Sequence, residues 1–382
     1  MDFQLTEEQQ MIRDMVRDFA ENEIRPIAAQ IDKDGQFPAK NFKRMGELGL
    51  LGLPWPEQYG GAGGDTVCYA IATEEISRAC GSHGLSYAAH ISLGSSPIYL
   101  FGTEEQKKKY LVPLAKGQAI GALGLTEPEA GSDAGSTKTT AVLDGNQWVI
   151  NGAKSLITNG PIAQTVIVVA KTDPSSRGSR GISTFIVETD RPGFSVGKIE
   201  EKMGLKGSPT SQLFFEDCRI PKDHLLGKEG DGFKQILEVL DGGRISIGAM
   251  AMGLGQAALE AAIAYARERH QFGRPIADFQ AVQWMIADAA TRLEAGRLLL
   301  LKAACLEDEG RTFTKEAAMG KLFASEAAEL ACYNALQIHA GYGYTKDYPV
   351  ERFYRDNRLT QIGEGTSEIQ RLVIARQMLQ NR

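Results

Sequence analysis

Cysteine is scarce in this chain and never paired in pattern. Cys68, Cys80, Cys218, Cys305 and Cys332 form no C-x-x-C, which excludes a recognisable zinc or disulfide framework and fits a reducing compartment. Histidine is equally sparse: His83, His90, His224, His270 and His339 make neither H-E-x-x-H nor H-x-H, so no metal site is expected. Basic charge is not in excess either. The 42 Lys+Arg against 48 Asp+Glu leave a net charge of -6, which argues against a nucleic-acid partner and leaves phosphate recognition to local clusters. No apolar run is read as approaching the ~20 residues that cross a bilayer, so membrane insertion is not expected. Met1 to Glu8 lack the basic and apolar stretches of a leader, and the expectation is a cytoplasmic protein. What is plentiful is glycine, 42 of 382 residues against a usual ~7%, which implies many turns or close approaches to a ligand.

Three patterns succeed one another along the chain and predict three domains, 1–120, 121–228 and 229–382. The first is helical. Thr6 and Gln9 have capping-box spacing, Ile12, Met15, Val16 and Phe19 make one apolar face, and Thr103 with Gln106 repeats the box before Lys107 to Lys109, read as a solvated helix face. Between them Leu53 to Gly61 reads as an ordered loop, and helices resume at Asp65. After Gly121 short β-rich runs alternate with turns: Val142–Leu143, Gln147 to Ile150, Thr165 to Ala170, Ile182 to Val187 and Gln212 to Phe215. Asp144-Gly145-Asn146 reads as a hairpin turn and Asp173 to Gly181 as an exposed loop, giving an antiparallel sandwich or barrel. Helical periodicity returns at roughly 233–269, 278–309, 314–340 and 367–379, a four-helix bundle whose first helix is apolar on nearly every face and is expected in the core and at a subunit interface.

Five segments are candidates for chemistry. Gly253-Leu254-Gly255-Gln256-Ala257-Ala258 matches G-x-G-x-x-A but lies inside a helix rather than after a strand, so close helix packing is preferred to a dinucleotide site. Leu123 to Asp133 combines hydroxyls, glycines and a proline-stiffened turn able to hydrogen-bond a heterocycle or phosphate, and Lys154 to Gly160 is a second hydroxyl-bearing strand-to-turn segment. Arg267 to Pro275 is a cationic helix end, read either as completing the helix dipole or as a guanidinium for a pyrophosphate. Gln361 to Gln370 sets the single carboxylate of Glu364 between two glycines ahead of a terminal helix. Thr366 or Ser367 there caps the helix, or the loop presents Glu364 as a general base.

These segments, in this order, resemble the acyl-CoA dehydrogenase family from Leu5-Thr6-Glu7-Glu8-Gln9 to Arg371-Leu372-Val373-Ile374-Ala375-Arg376. The resemblance rests on Thr126-Glu127-Pro128 with Ala130-Gly131-Ser132-Asp133, on Ile157-Thr158-Asn159-Gly160, on Arg269 with Phe272-Gly273, and on Tyr348-Pro349-Val350-Glu351-Arg352 leading to Glu364-Gly365-Thr366. It implies the family's α+β multidomain fold: an N-terminal helical domain, a central antiparallel β domain and a C-terminal four-helix bundle. It also implies FAD bound without a Rossmann unit. Leu123, Leu125, Thr126, Gly131 and Ser132 would contact the isoalloxazine and its surroundings, with Leu156, Ile157 and Thr158 on the ring's other side. Arg269, Phe272, Gln280, Gln337, Ile338 and Gly341 would hold the pyrophosphate and adenosine end across a subunit boundary, and Thr366 and Glu368 would complete the contacts.

The implied reaction is α,β-dehydrogenation of a short or branched short acyl-CoA to the trans-2-enoyl-CoA. Glu364 would take the α-proton while the β-carbon gives hydride to flavin N5, and the Glu364 N–H would steady the thioester oxygen. Ser132, Asp241, Arg244 and Gly365 would meet the substrate, with Arg244 the direct contact to the CoA portion. Electron-transfer flavoprotein is the implied acceptor and a homotetramer, a dimer of dimers, the implied assembly. The family places its base either on the loop of Glu364 or on a helix position that corresponds to Gly243. Gly363 stands where several branches carry an aromatic, and Leu156 where tryptophan is common. Two alternatives remain at this stage: a flavin oxidase or monooxygenase on the same fold, and a non-catalytic acyl-CoA-binding protein.

Overall fold

A computed structural model describes residues 4–176 and 178–380. Arg177 of the expected 173–181 loop lies outside them, as do Met1, Asp2 and Phe3 of the leader reading. The N-terminal third is helical, and both capping boxes close. Thr6 Oγ1 accepts the Gln9 N–H at 3.2 Å while the Gln9 side chain accepts the Thr6 N–H at 3.1 Å, opening helix Glu7–Phe19. Thr103 and Gln106 make the same exchange. Helix Thr66–Ala79 starts where the Asp65 carboxylate accepts the Cys68 N–H at 2.6 Å, and nearly all its side chains are buried. The Leu53–Gly61 loop is ordered by burial of Trp55 and Tyr59.

Residues 121–226 form one eight-stranded sheet: β1 (Gly121–Gly124), β2 (Thr140–Asp144), β3 (Gln147–Thr158), β4 (Thr165–Lys171), β5 (Ile182–Glu188), β6 (Phe194–Ile199), β7 (Thr210–Pro221) and β8 (Leu225–Leu226). Its order is β6-β7-β3-β2-β4-β5-β8, with β1 against β4. Asp144 pairs with Gln147, so the hairpin turn is Gly145-Asn146, with Gly145 at φ 61°. The expected antiparallel pattern fails at β1, which runs parallel to β4, and at one β2–β4 pair. The reason lies in how β1 enters. Gly121 is packed on Gly94 of the helical domain so closely that a Cβ on Gly94 would sit 2.6 Å from the Gly121 carbonyl carbon, and the Gly121 N–H donates to His90 Nδ1 at 3.1 Å. The chain is thereby delivered along β4. β1, β6 and β8 were not among the expected strands: Gly-Ala-Leu-Gly lacks β-branched residues, and β6 is largely exposed, so neither gives a period-2 signal.

The C-terminal third contains helices Gly232–Glu268, Gln280–Asp308, Thr314–His339 and Ser367–Gln380, within two residues of the predicted limits, plus an unpredicted short helix Val350–Asn357. Gly253 and Gly255 let the first of them approach its neighbours closely. A Cβ on Gly253 would overlap the Glu74 carbonyl oxygen, and one on Gly255 would lie 2.6 Å from Leu293 Cδ2 and 3.0 Å from Ala328 Cα. The G-x-G-x-x-A stretch is therefore a packing seam and not a nucleotide loop. One expectation needs correction: helix Gly232–Glu268 is, by length and composition, apolar enough to cross a bilayer. Most of that apolar stretch is buried inside this protein, against helices Thr66–Ala79, Thr314–His339 and Gln280–Asp308, which accounts for its composition as a core helix.

Candidate active site

Seven non-glycine residues among those described have left-handed backbone: Leu156, Asn159, Leu205, Asp217, Phe272, Ala340 and Glu364. Leu156, Phe272 and Glu364 are site residues expected from the sequence, Asn159 falls inside a quoted motif, and Ala340 precedes the expected Gly341. Such a conformation costs roughly 1–2 kcal/mol per residue, so neighbouring groups must hold each one in place.

The first cluster joins the β1–β2 turn to the end of β3. The Ser155 N–H donates to the Thr126 carbonyl at 2.8 Å, which sets Leu125 and Thr126 beside Leu156. Beneath them Lys154 is fully buried, its ammonium donating to the Leu125 carbonyl (3.3 Å), Glu127 Oε1 (2.7 Å) and Thr137 Oγ1 (3.1 Å). Glu127 also accepts the N–H groups of Lys138 (2.6 Å) and Thr139 (3.0 Å). Burial works to raise the Glu127 carboxyl, but Lys154 and these donors bring it down to about 2. Leu123 and Ile157 are buried, Thr126 and Thr158 half-buried, and Gly131 and Ser132 exposed. Leu156 stands 62% exposed, an apolar side chain held outward on strained backbone. Lys154 and Glu127 lay inside the recognised motifs but were not assigned roles; the pairing joins residues 27 apart, which no local pattern announces.

The second cluster surrounds Glu364. Glu364 and Gly365 have φ of 52° and 91°, and this turn directs their carbonyls to Gln370 Nε2, at 3.2 and 2.9 Å. Lys321 Nζ donates to the same Gly365 carbonyl at 2.7 Å. Among the described residues the Glu364 N–H has no acceptor, and its Oε2 is buried without a partner. Burial pushes the Glu364 carboxyl up to about 7, with the Lys321 and Arg244 cations pulling the other way. Gly243 makes room for it: a Cβ there would overlap Glu364 Oε2 and lie 3.6 Å from Leu93 Cδ2. Arg244 is buried and donates to Asp241, which also accepts from Thr314 Oγ1; Arg244 Nε is buried and unpartnered. Thr366 Oγ1 accepts the Ile369 N–H at 3.3 Å and so caps the terminal helix, while Glu368 is exposed. Lys321 carried no sequence signal. Neither did Glu307, whose carboxyl burial raises to about 7 beside Asp308 and Asp241, with its Oε2 unpartnered.

The third cluster is a separate open cleft of about 660 Å³ lined by Tyr265, Arg269, Phe272, Gln337, Ile338 and Gly341 among others. Phe272 is 93% exposed, and Arg269 ends helix Gly232–Glu268. Gln280 is the one expected adenosine-end residue that does not line the cleft; it opens the next helix, exposed, one residue beyond Phe279. Among the described residues no hydrogen bond or ion pair links this cleft to the first two clusters. The residues present fit FAD at both ends. Leu156 offers an outward apolar face beside the Leu125–Thr126 turn, and Phe272 with Arg269 offers an aromatic and a guanidinium over open space, with nothing within 4 Å of where a Cβ on Gly341 would lie. No cluster of three metal-ligating side chains occurs among the described residues.

Comparison with known proteins covers nearly the whole chain. Residues 6–118, 122–218 and 230–379 match the N-terminal, middle and C-terminal domains of acyl-CoA dehydrogenase. The chain is 52% identical to the short-chain specific acyl-CoA dehydrogenase of Clostridium acetobutylicum, over 98% of this chain and 99% of that one. Butyryl-CoA dehydrogenase from Megasphaera elsdenii superposes with a TM-score of 0.97 at 42% identity, covering 99% and 100% of the two chains. A chain in the structure reported for the electron transferring flavoprotein of Acidaminococcus fermentans superposes at 0.98 with 51% identity over the full length of both. An acyl-CoA dehydrogenase of Bacillus anthracis solved with FAD, 38% identical, superposes at 0.92 over 98% of this chain and 67% of that one. FAD is the cofactor of this family, and the chain belongs to the acyl-CoA dehydrogenase family.

Proposed function

We propose that this protein dehydrogenates short acyl-CoA thioesters between the α and β carbons, with Glu364 as the base. The observation that carries the reading is the Glu364 carboxyl: on a half-buried residue, its Oε2 is buried and unpartnered, and the Lys321 and Arg244 cations act to stabilise its charge. A carboxyl poised near pH 7 accepts a proton without a large penalty in either state, which is what a base for a weakly acidic α-proton requires. Burial of Oε2 keeps water from competing for that proton. The free Glu364 N–H is placed to donate to the thioester oxygen as charge builds there. FAD, when bound, supplies the acceptor for the hydride that leaves the β-carbon. The short-chain assignment is supported by the Clostridium and Megasphaera relatives, and electron-transfer flavoprotein as acceptor by the Acidaminococcus structure.

A homotetramer is proposed from the apolar surface of the C-terminal helices, where Trp284 is 63%, Tyr333 54% and Met378 58% exposed. It would close the adenosine-end cleft from a second chain. The test of the function is an anaerobic absorbance titration of the FAD-loaded protein with straight and branched acyl-CoAs. Bleaching of the flavin, deepest with butyryl-CoA or a near neighbour, is the expected result. An unbleached flavin across the whole series would overturn the assignment, and maximal bleaching by a long chain would overturn its short-chain part.

A further inference from the structure

The geometry points to Lys321 as a positioning residue for the reaction: its ammonium holds the left-handed Glu364–Gly365 turn through the Gly365 carbonyl and sets a fixed cation beside the base. This rests on the reading of Glu364 as base. Lys321 lies in the first third of helix Thr314–His339, 0% exposed, and an unpaired ammonium is expensive to bury. Its acceptor is the Gly365 carbonyl at 2.7 Å, the shortest hydrogen bond to a turn whose two residues both have φ above 50°. Without a donor there, that carbonyl would keep only Gln370 Nε2 at 2.9 Å, and the strained turn would have less to oppose its relaxation. A base displaced by ~1 Å can cost ~10²-fold in rate.

The charge acts as well as the hydrogen bond. Facing Glu364 are Lys321 from its helix, Arg244 from helix Gly232–Glu268 and Tyr69 from helix Thr66–Ala79, while Glu368 of the terminal helix bears on Lys321. Lys321 is the first-named of the two cations offsetting the burial of Glu364. Arg244 is already committed to Asp241. Burial lowers the Lys321 ammonium to about 8, so it is still charged where Glu364 titrates.

The test is stopped-flow flavin reduction by butyryl-CoA from pH 6 to 9 in FAD-loaded variants. Lys321→Met should keep FAD and KM while the limiting rate falls roughly 10-fold at pH 7, with the inflection moved upward by about one unit so that part of the loss is regained at pH 9. Gln370→Leu removes the other anchor without changing charge and should slow reduction with the inflection unmoved. Lys321→Arg retains a cation and should keep the parent inflection at a lower rate, which leaves the question answerable if the Met variant does not fold. A parent-like inflection in Lys321→Met, or a raised one in Lys321→Arg, would overturn the proposal. Glu364→Gln measured alongside separates the two readings: if it still reduces flavin, the base assignment itself is wrong, whereas an inactive Glu364→Gln with an unaltered Lys321→Met profile removes Lys321 alone.

Discussion

The two ends of the proposed cofactor site are built in opposite ways. Around Glu364 and Lys154 the ammonium groups and the Glu364 Oε2 are buried, and carbonyls, ammonium groups and amides answer one another within about 3 Å. At the open cleft Arg269 and Phe272 are exposed over a floor that includes the buried Tyr265 and Ile338, and Phe272 has left-handed backbone with almost nothing over it. On the proposed reading, chemistry that depends on close placement and low dielectric would sit where this hydrogen-bonded network can fix it. The open cleft, proposed for the adenosine end, would be completed by a second surface in the proposed assembly. The comparison predicts that changes at the buried end alter rate with the cofactor retained, and changes at the open end alter retention and assembly.

The largest effect is expected from Glu364→Gln. The amide keeps the volume and the left-handed turn but takes no proton, so flavin reduction by acyl-CoA should fall ~10² to 10⁴-fold with FAD and acyl-CoA still bound. Retained reduction in a protein of normal absorbance would break the assignment of chemistry to the buried end.

The next effect tests whether position or residue matters there. Because a Cβ on Gly243 would overlap Glu364 Oε2, the carboxylate can in principle be delivered from either helix or loop to one volume. Gly243→Glu combined with Glu364→Gly should recover reduction above Glu364→Gly alone, while remaining ~10²-fold below the parent because the new carboxylate approaches along another vector. Gly243 has ordinary helical backbone and Glu is a good helix former, so the exchange should not unfold the helix. Equal inactivity of single and double variants, both loaded with FAD and substrate, would show that the shared volume does not suffice.

How much of this was written in the sequence follows from the range of each interaction. Domain order and the long helices show in periodicity, which is local, and the capping boxes span three residues. Glu364 was legible because glycine on both sides is a local sign of a presented carboxylate. Lys321 was not: it sits inside an unexceptional helix and meets its acceptor 44 residues later. Lys154 and Glu127 likewise become a pair only when β3 folds over the β1–β2 turn. β1 gives no strand signal because Gly-Ala-Leu-Gly lacks β-branched residues, and its parallel placement depends on the close approach of Gly94 and Gly121, two glycines of different domains.

The smallest effect concerns the open end. Arg269 follows helix Gly232–Glu268 at its C-terminus, where a cation is already favoured by the helix dipole, and its backbone is fixed by the Tyr265 carbonyl and the Ile276 N–H at 2.8 Å each. Removing the side chain therefore leaves the local backbone supported. Arg269→Ala should weaken FAD retention several-fold and, because FAD would bridge two chains there, loosen the assembly in step with it. Reduction of whatever FAD remains bound should proceed at close to the parent rate. Gel filtration with flavin quantification on the same fractions reads both quantities. FAD loss without a change in assembly would place the whole cleft within one chain, and full FAD occupancy would remove Arg269 from the site. A parent-like occupancy with slowed reduction would dissolve the division between a chemical and a binding end altogether.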